Sequence, residues 1–212
     1  MRKGSLPLKR PASDACITPP KPHIEGRRLI VLRYAMPRLF TALEIPSEIV
    51  QSMARLRGGL PGARWVEPEN YHLTLRFIGD VDDALAEEIA DLLSKVARPA
   101  FDLRIDGLDS FGGNRPRAVV AAVPAVAELV ELQADHERIM QRVGLEPDRR
   151  YKPHVTLARL RDTSSRQVAD FLSIRQPFRS PPFSVSRFVL YSSRASVGGG
   201  PYVIEAGYPL VA

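Results

Sequence analysis

One four-residue pattern constrains this chain more than any other feature. His-x-Thr-Leu occurs twice, as His72-Leu73-Thr74-Leu75 within "YHLTLRFIGD" and as His154-Val155-Thr156-Leu157 within "YKPHVTLARL". The chain has only four histidines, and a chance match anywhere in such a composition is expected on the order of 0.01 times. The copies lie 82 residues apart, and the elements around them repeat as well.

Residues 39–45 are short, apolar and β-leaning, and Pro46 ends them. Ser47 is placed to cap a helix carrying Ile49, Val50, Met53 and Leu56, which stops at Gly58-Gly59. The first motif lies in a strand over 71–78. A helix from Asp82 or Asp83 carries Leu85, Ile89, Leu92, Leu93 and Val96 on one face up to Pro99. Residues 101–108 alternate like a strand, and 118–123 form a more buried one. Pro124 opens a helix with Leu129, Leu132, His136, Ile139 and Val143 in line, closed by Gly144. The second motif lies in a strand over 153–160. A short helix at 164–172 follows, then strands at 183–192 and 202–208 around a Gly198-Gly199-Gly200 hairpin turn. Strand, helix, motif strand, helix, strand thus occurs twice, which predicts a duplicated α+β unit.

Strand parity gives the motif its chemistry. Side chains alternate faces, so His72 and Thr74 point one way while Leu73 and Leu75 anchor the other face. The second copy offers His154 and Thr156 in the same manner. Two such strands facing one cleft supply two imidazoles, which can divide proton removal and proton donation. They also supply two hydroxyls that can donate to the non-bridging oxygens of a phosphate. Metal-free in-line displacement at phosphorus is the reaction this set suits. Cations should help hold that phosphate, and Arg76, two residues beyond Thr74, is expected to do so because it shares the face of His72. Arg159 follows Thr156 by three and falls on the wrong face of a regular strand, so it reaches the site only through a bulge, twist or strand end.

Composition narrows the rest. The 212 residues suffice for one sizeable core or two small lobes. No apolar run approaches the roughly 20 residues of a membrane helix. The single cysteine, Cys16, excludes an internal disulfide and Cys-based zinc, and fits a reducing cytoplasm. No carboxylate or Cys stands at ligand spacing to the histidines, so neither a metal nor another cofactor is expected. His136, on the apolar stripe of its helix, reads as a partly buried structural histidine, and His23 as a solvated one. Residues 1–35 carry eight basic groups and two acidic ones, the whole of the +6 net charge. They are rich in proline and lack periodicity, which predicts a disordered extension. Met36 is read as the start of the folded unit, a single domain over 36–212 that acts as a monomer.

The paired motifs resemble the 2H phosphoesterase superfamily. The flanks "RLFTALEIP", "RWVEPENYHLTLRFIGD" and "GLEPDRRYKPHVTLARL" are similar to the bacterial and archaeal RNA 2′,3′-cyclic phosphodiesterases, also described as 2′-5′ RNA ligases. The resemblance runs from about Arg38 to the C-terminus. It implies a bilobal fold, two antiparallel sheets flanked by helices about a central cleft. It implies hydrolysis of a terminal 2′,3′-cyclic phosphate on RNA to a 2′-phosphate, with a reversible 2′-5′ ligation when a 5′-hydroxyl RNA end is the nucleophile. By the same resemblance His72 and His154 are the catalytic pair, and Thr74, Thr156 and Arg159 hold phosphate; His72 is read as the proton donor and His154 as the proton acceptor, roles that the symmetric motifs leave open to exchange. Phe40 is the aromatic that touches the base. Two rivals stand beside this reading: a phosphodiesterase acting on small cyclic nucleotides or oligonucleotide 3′ ends, and a non-catalytic module that holds RNA ends.

Overall fold

A computed structural model describes residues 38–148, 150–175, 177–193 and 201–211. The basic extension, Cys16, His23, Met36 and the Gly198–Gly200 turn lie outside the described residues. The first repeat contains β1 (Arg38–Glu44), α1 (Ser47–Ala54), β2 (Ala63–Trp65), a 3-10 turn (Pro68–Asn70), β3 (His72–Asp80), α2 (Asp83–Leu93) and β4 (Phe101–Leu103). The second contains β5 (Leu108–Phe111), β6 (Ala118–Ala122), α3 (Ala127–Arg142), β7 (His154–Leu160), α4 (Ser165–Arg175) and β8 (Phe183–Val185). After it come β9 (Arg187–Ser193) and β10 (Tyr202–Pro209).

The strands form two antiparallel halves, ordered β10-β9-β1-β3 and β7-β6-β5, with β2 also paired to β7. The halves meet at one residue pair, Leu73 with Val155. The last strands of the two repeats, β4 and β8, make a separate two-stranded sheet in which Asp102 pairs with Ser184. Both of these pairs join residues 82 apart, the interval that separates the two motif histidines. Each equivalent position therefore meets its own copy, as a two-fold axis requires. The expected α+β architecture of two antiparallel sheets with helices around a cleft is the one observed.

Core packing crosses the repeats. α3, from the second repeat, packs beneath the first half: the His136 ring stands 4.5 Å from Phe188 of β9, edge to face. Phe188 in turn stacks on Tyr208 of β10 at 4.8 Å, and the Tyr208 hydroxyl donates to the Ala90 carbonyl of α2. Leu43, Leu73, Ile89, Leu93, Leu129 and Leu132 are fully buried around them. At full burial each contributes roughly 1.5–3 kcal/mol of hydrophobic stabilisation.

Several expected boundaries move for local reasons. Asp82 caps α2 as anticipated, its carboxylate accepting from Leu85 N–H at 2.9 Å. Ser47 is the first residue of α1 and not its cap; Pro46, extended, occupies the cap position. Pro124 stands ahead of α3, which begins at Ala127 after an extended Val126. The single strand expected over 101–108 is two, because Gly107 at φ +95° turns the chain from the small sheet into the large one. Residues 183–192 likewise divide into β8 and β9, which belong to different sheets. β2 has only three residues and no alternation long enough to signal it.

Candidate active site

The strands that carry the two motifs share one irregularity. Along β7, Val120 of β6 pairs with Thr156 and Val119 with Ala158, so Leu157 is an extra, unmatched residue. An extra residue inverts the parity of every later position in its strand. Ala158 turns into the core at 0% exposure, and Arg159 turns out onto the face of His154 and Thr156. The bulge supplies the route by which Arg159 reaches the cleft.

β3 has the matching irregularity. Ala42 of β1 pairs with Thr74 and Thr41 with Arg76, which leaves Leu75 unmatched. Here the inversion overturns the expectation for Arg76. Its side chain points away from the cleft and is 6% exposed. The guanidinium pairs with Glu137 of α3 at 2.8 Å and with Asp148 at 3.7 Å, and donates to the carbonyls of Phe77 and Glu146. Phe77, 56% exposed, takes the outward place. It stands five residues after His72, as Arg159 stands five after His154. That equal offset was readable in the sequence and marks Phe77, not Arg76, as the counterpart of Arg159.

Both imidazoles are held alike. His72 Nδ1–H donates to the Asn70 carbonyl at 2.8 Å, and His154 Nδ1–H to the Lys152 carbonyl at 2.6 Å. A carbonyl only accepts, so the proton sits on Nδ1 and Nε2 presents its lone pair. The environments differ. Burial pushes His72 down to about 4 against the support of the Asn70 carbonyl, with the charges of His154 and Arg159 lowering it further. His154 is also lowered by burial, with the Lys152 carbonyl opposing. The influence of His154 and Arg159 on His72 places all three groups in one electrostatic site. Thr74 and Thr156 are half-buried beside them.

An aromatic shell, which the sequence does not announce beyond Phe40, surrounds this pair. Tyr202 meets His72 edge-on at 5.1 Å, with Tyr191 at 5.9 Å. Phe40 lies beneath His72 at 4.9 Å and stacks with Tyr191 at 5.2 Å. At 3% exposure Phe40 offers almost no ring surface to a base; it is a packing wall for His72, which corrects the contact expected of it. On the other side Phe111 abuts His154 edge-on at 4.7 Å, and Lys152 lies 5.8 Å from the Phe111 ring. A cavity of about 510 Å³ opens here between the motif strands, lined by Thr74, Phe77, Phe111, Arg150, Lys152 and His154. Aromatic walls with cations at the rim suit a nucleotide, which needs a stacking surface and phosphate neutralisation together.

His136 lies outside the site. It is fully buried, deeper than the sequence implied, and its Nδ1–H donates to the Leu132 carbonyl at 2.7 Å. Among the described residues no group of three or more His, Cys, Asp or Glu side chains is arranged to hold a metal ion. No helix among them is long and apolar enough to cross a membrane.

Comparison with known proteins agrees with this geometry. The model of the family described as LigT like Phosphoesterase matches twice, over residues 43–121 and 120–202, once per motif. An RNA 2′,3′-cyclic phosphodiesterase of Aeropyrum pernix is 39% identical over 121 residues, which are 53% of this chain and 68% of that one. Its namesake from Geobacillus stearothermophilus is 33% identical over 181 residues, which span 81% of this chain but 57% of that protein. The crystal structure of E. coli LigT complexed with 3′-AMP superposes with a TM-score of 0.71 at 26% identity, covering 84% of this chain and 99% of LigT.

Proposed function

This chain belongs to the LigT-like phosphoesterase family, whose match spans both motif repeats, and from that premise we propose that it hydrolyses the 2′,3′-cyclic phosphate at the end of RNA to a 2′-phosphomonoester. The observation that carries the proposal is the pair of histidines. Each is pinned through Nδ1 to the backbone carbonyl two residues upstream, so that two Nε2 atoms serve one cleft. In-line displacement needs one base and one acid, on opposite sides of phosphorus. Nε2 of His154 takes a proton from water as its oxygen forms the new bond to phosphorus. The phosphorus–O3′ bond breaks, and Nε2–H of His72 protonates the departing 3′-oxygen. The product carries a 2′-phosphate and a free 3′-hydroxyl. Hydroxyls of Thr74 and Thr156 donate to the non-bridging oxygens, and the Arg159 guanidinium stabilises the charge that builds there. A 5′-hydroxyl RNA end in place of water forms the new bond to phosphorus as the phosphorus–O3′ bond breaks, and the product is a 2′-5′ linkage. The same proposal places the protein in the cytoplasm as a monomer, its catalytic unit beginning near Met36.

The electrostatics assign a specific task to the substrate. Held down to about 4 by burial, His72 on its own is neutral at pH 7 and lacks the proton it must donate. A bound phosphodiester pairs with Arg159 and sets negative charge against the imidazole, which reverses the influence of Arg159 and raises the affinity of His72 for a proton. A leaving group that needs no proton isolates this step. With a cyclic substrate whose leaving atom is sulfur, His72→Ala retains turnover and His154→Ala does not; the opposite pattern exchanges the two roles.

The proposal is tested with RNA ending in a 2′,3′-cyclic phosphate, with and without EDTA. The expected product is a 2′-phosphate at equal rates in both. A 3′-phosphate product, or loss of turnover with chelator, would overturn it.

A further inference from the structure

A second arginine stands beside Arg159 on the cleft face. β2 pairs with β7 so that Arg64 lies directly opposite Arg159. Directly opposed residues of an antiparallel pair share a face, with Cβ atoms about 4.5–5.5 Å apart. The neighbour Trp65 supports the direction, because it packs inward on Phe171 of α4 at 5.8 Å and alternation then sends Arg64 outward. Both arginines are exposed. Among the described residues neither has a carboxylate within ion-pair distance. Arg38, Arg57, Arg76, Arg98 and Arg187, by contrast, each have one.

Like charges directly opposed across a ladder destabilise it. A bound anion reverses that penalty. Arg159 is committed to the phosphate between the histidines, so Arg64, on the neighbouring strand, is free to neutralise a second phosphate.

We propose that Arg64 binds the phosphodiester on the 5′ side of the terminal nucleotide, so that the Arg64–Arg159 pair selects RNA chains over mononucleotides. This rests on the hydrolase reading for the identity of the first phosphate. Arg64 touches substrate away from the reacting atoms and takes no part in proton transfer.

The test compares Arg64→Ala with the unaltered protein on two substrates: a nucleoside 2′,3′-cyclic phosphate, which has one phosphate, and a short oligoribonucleotide ending in the same group. The loss in kcat/KM should be about tenfold or more for the oligonucleotide and several-fold smaller for the mononucleotide. The salt dependence of the oligonucleotide reaction should weaken by about 0.7 in log–log slope, one phosphate contact on a single strand. Arg64→Lys, which keeps the charge, should restore that slope. Equal losses on both substrates, or an undiminished oligonucleotide rate, would overturn the proposal. If the unaltered protein turns over neither substrate, it is the hydrolase reading that fails. Equilibrium binding of an oligonucleotide ending in a 2′-phosphate, compared between Arg64→Ala and the unaltered protein, then decides Arg64 by itself.

Discussion

His72 and His154 hold their Nδ1 protons in the same way, and the charge of Arg159 acts against a proton on His72. This makes the proton affinity of His72 a gauge of the phosphate site. In the ligand-free protein NMR titration should find His72 charging only near pH 4, and inorganic phosphate should raise that value by pairing with Arg159. A His72 pKa near 6.5 that ignores phosphate would separate it from the arginine. Replacing either histidine with alanine should cost on the order of 10²–10⁴ in kcat/KM, measured on the cyclic-phosphate substrate. The four motif residues were legible from the sequence because parity alone puts them on one face. Phe40 was not: its position in the strand is right for the site, but whether a ring is a wall or a contact depends on the side chains stacked over it, here Tyr191 and Tyr202.

The elements that matter most are two bulges, at Leu75 in β3 and Leu157 in β7. Each adds one residue and flips the facing of the side chains that follow it, in β3 as far as a further register shift at Ile78. Two arginines near equivalent positions thereby have opposite fates. Arg159 faces the cleft; Arg76 ties β3 to α3 and to the segment leading into β7 through Glu137, Asp148 and the Glu146 carbonyl. Replacement should therefore separate stability from activity. Arg76→Ala removes a buried cation and leaves Glu137 without it, which should cost about 3 kcal/mol of stability, read as a lower denaturant midpoint. Arg159→Ala should leave that midpoint in place and lower kcat/KM by a factor corresponding to about 3 kcal/mol, as for a lost oxyanion donor. An Arg76→Ala protein of full stability would contradict the assignment. Element types were readable from periodicity and capping residues. The bulges were not, since a one-residue register shift leaves no trace in hydrophobic pattern when Leu75 and Leu157 are apolar on either face. β2 was too short to register, and with it Arg64 was missed.

At the scale of the whole molecule the site exists only where the two repeats meet. The pairs Leu73–Val155 and Asp102–Ser184 hold equivalent strands together about the cleft, and α3 crosses under the opposite half to lock them. His136 sits at that lock, fully buried, and burial holds it down to about 4. The unfolded chain binds a proton there at about 6.5 and the folded chain does not until near 4. Stability from this group is thus complete above about pH 6.5 and declines as pH falls toward 4, by roughly 3 kcal/mol in all. Denaturant midpoints at about pH 7.5 and pH 5 should show a decline to which His72, held equally low, adds a similar share; His136→Leu should reduce its slope without abolishing it, and an unchanged slope in that variant would place the cause elsewhere. The duplication was readable from the 82-residue interval, whereas the crossing of helices between halves was not, because nothing in an amphipathic stripe says which sheet it covers. The central claim, that one cleft runs acid and base chemistry with two histidines, is tested most directly by the pH dependence of kcat. It should be bell-shaped, with His154→Ala losing the acid limb and His72→Ala the alkaline limb in the residual rates. A rate that rises once and stays flat to about pH 10 would contradict it.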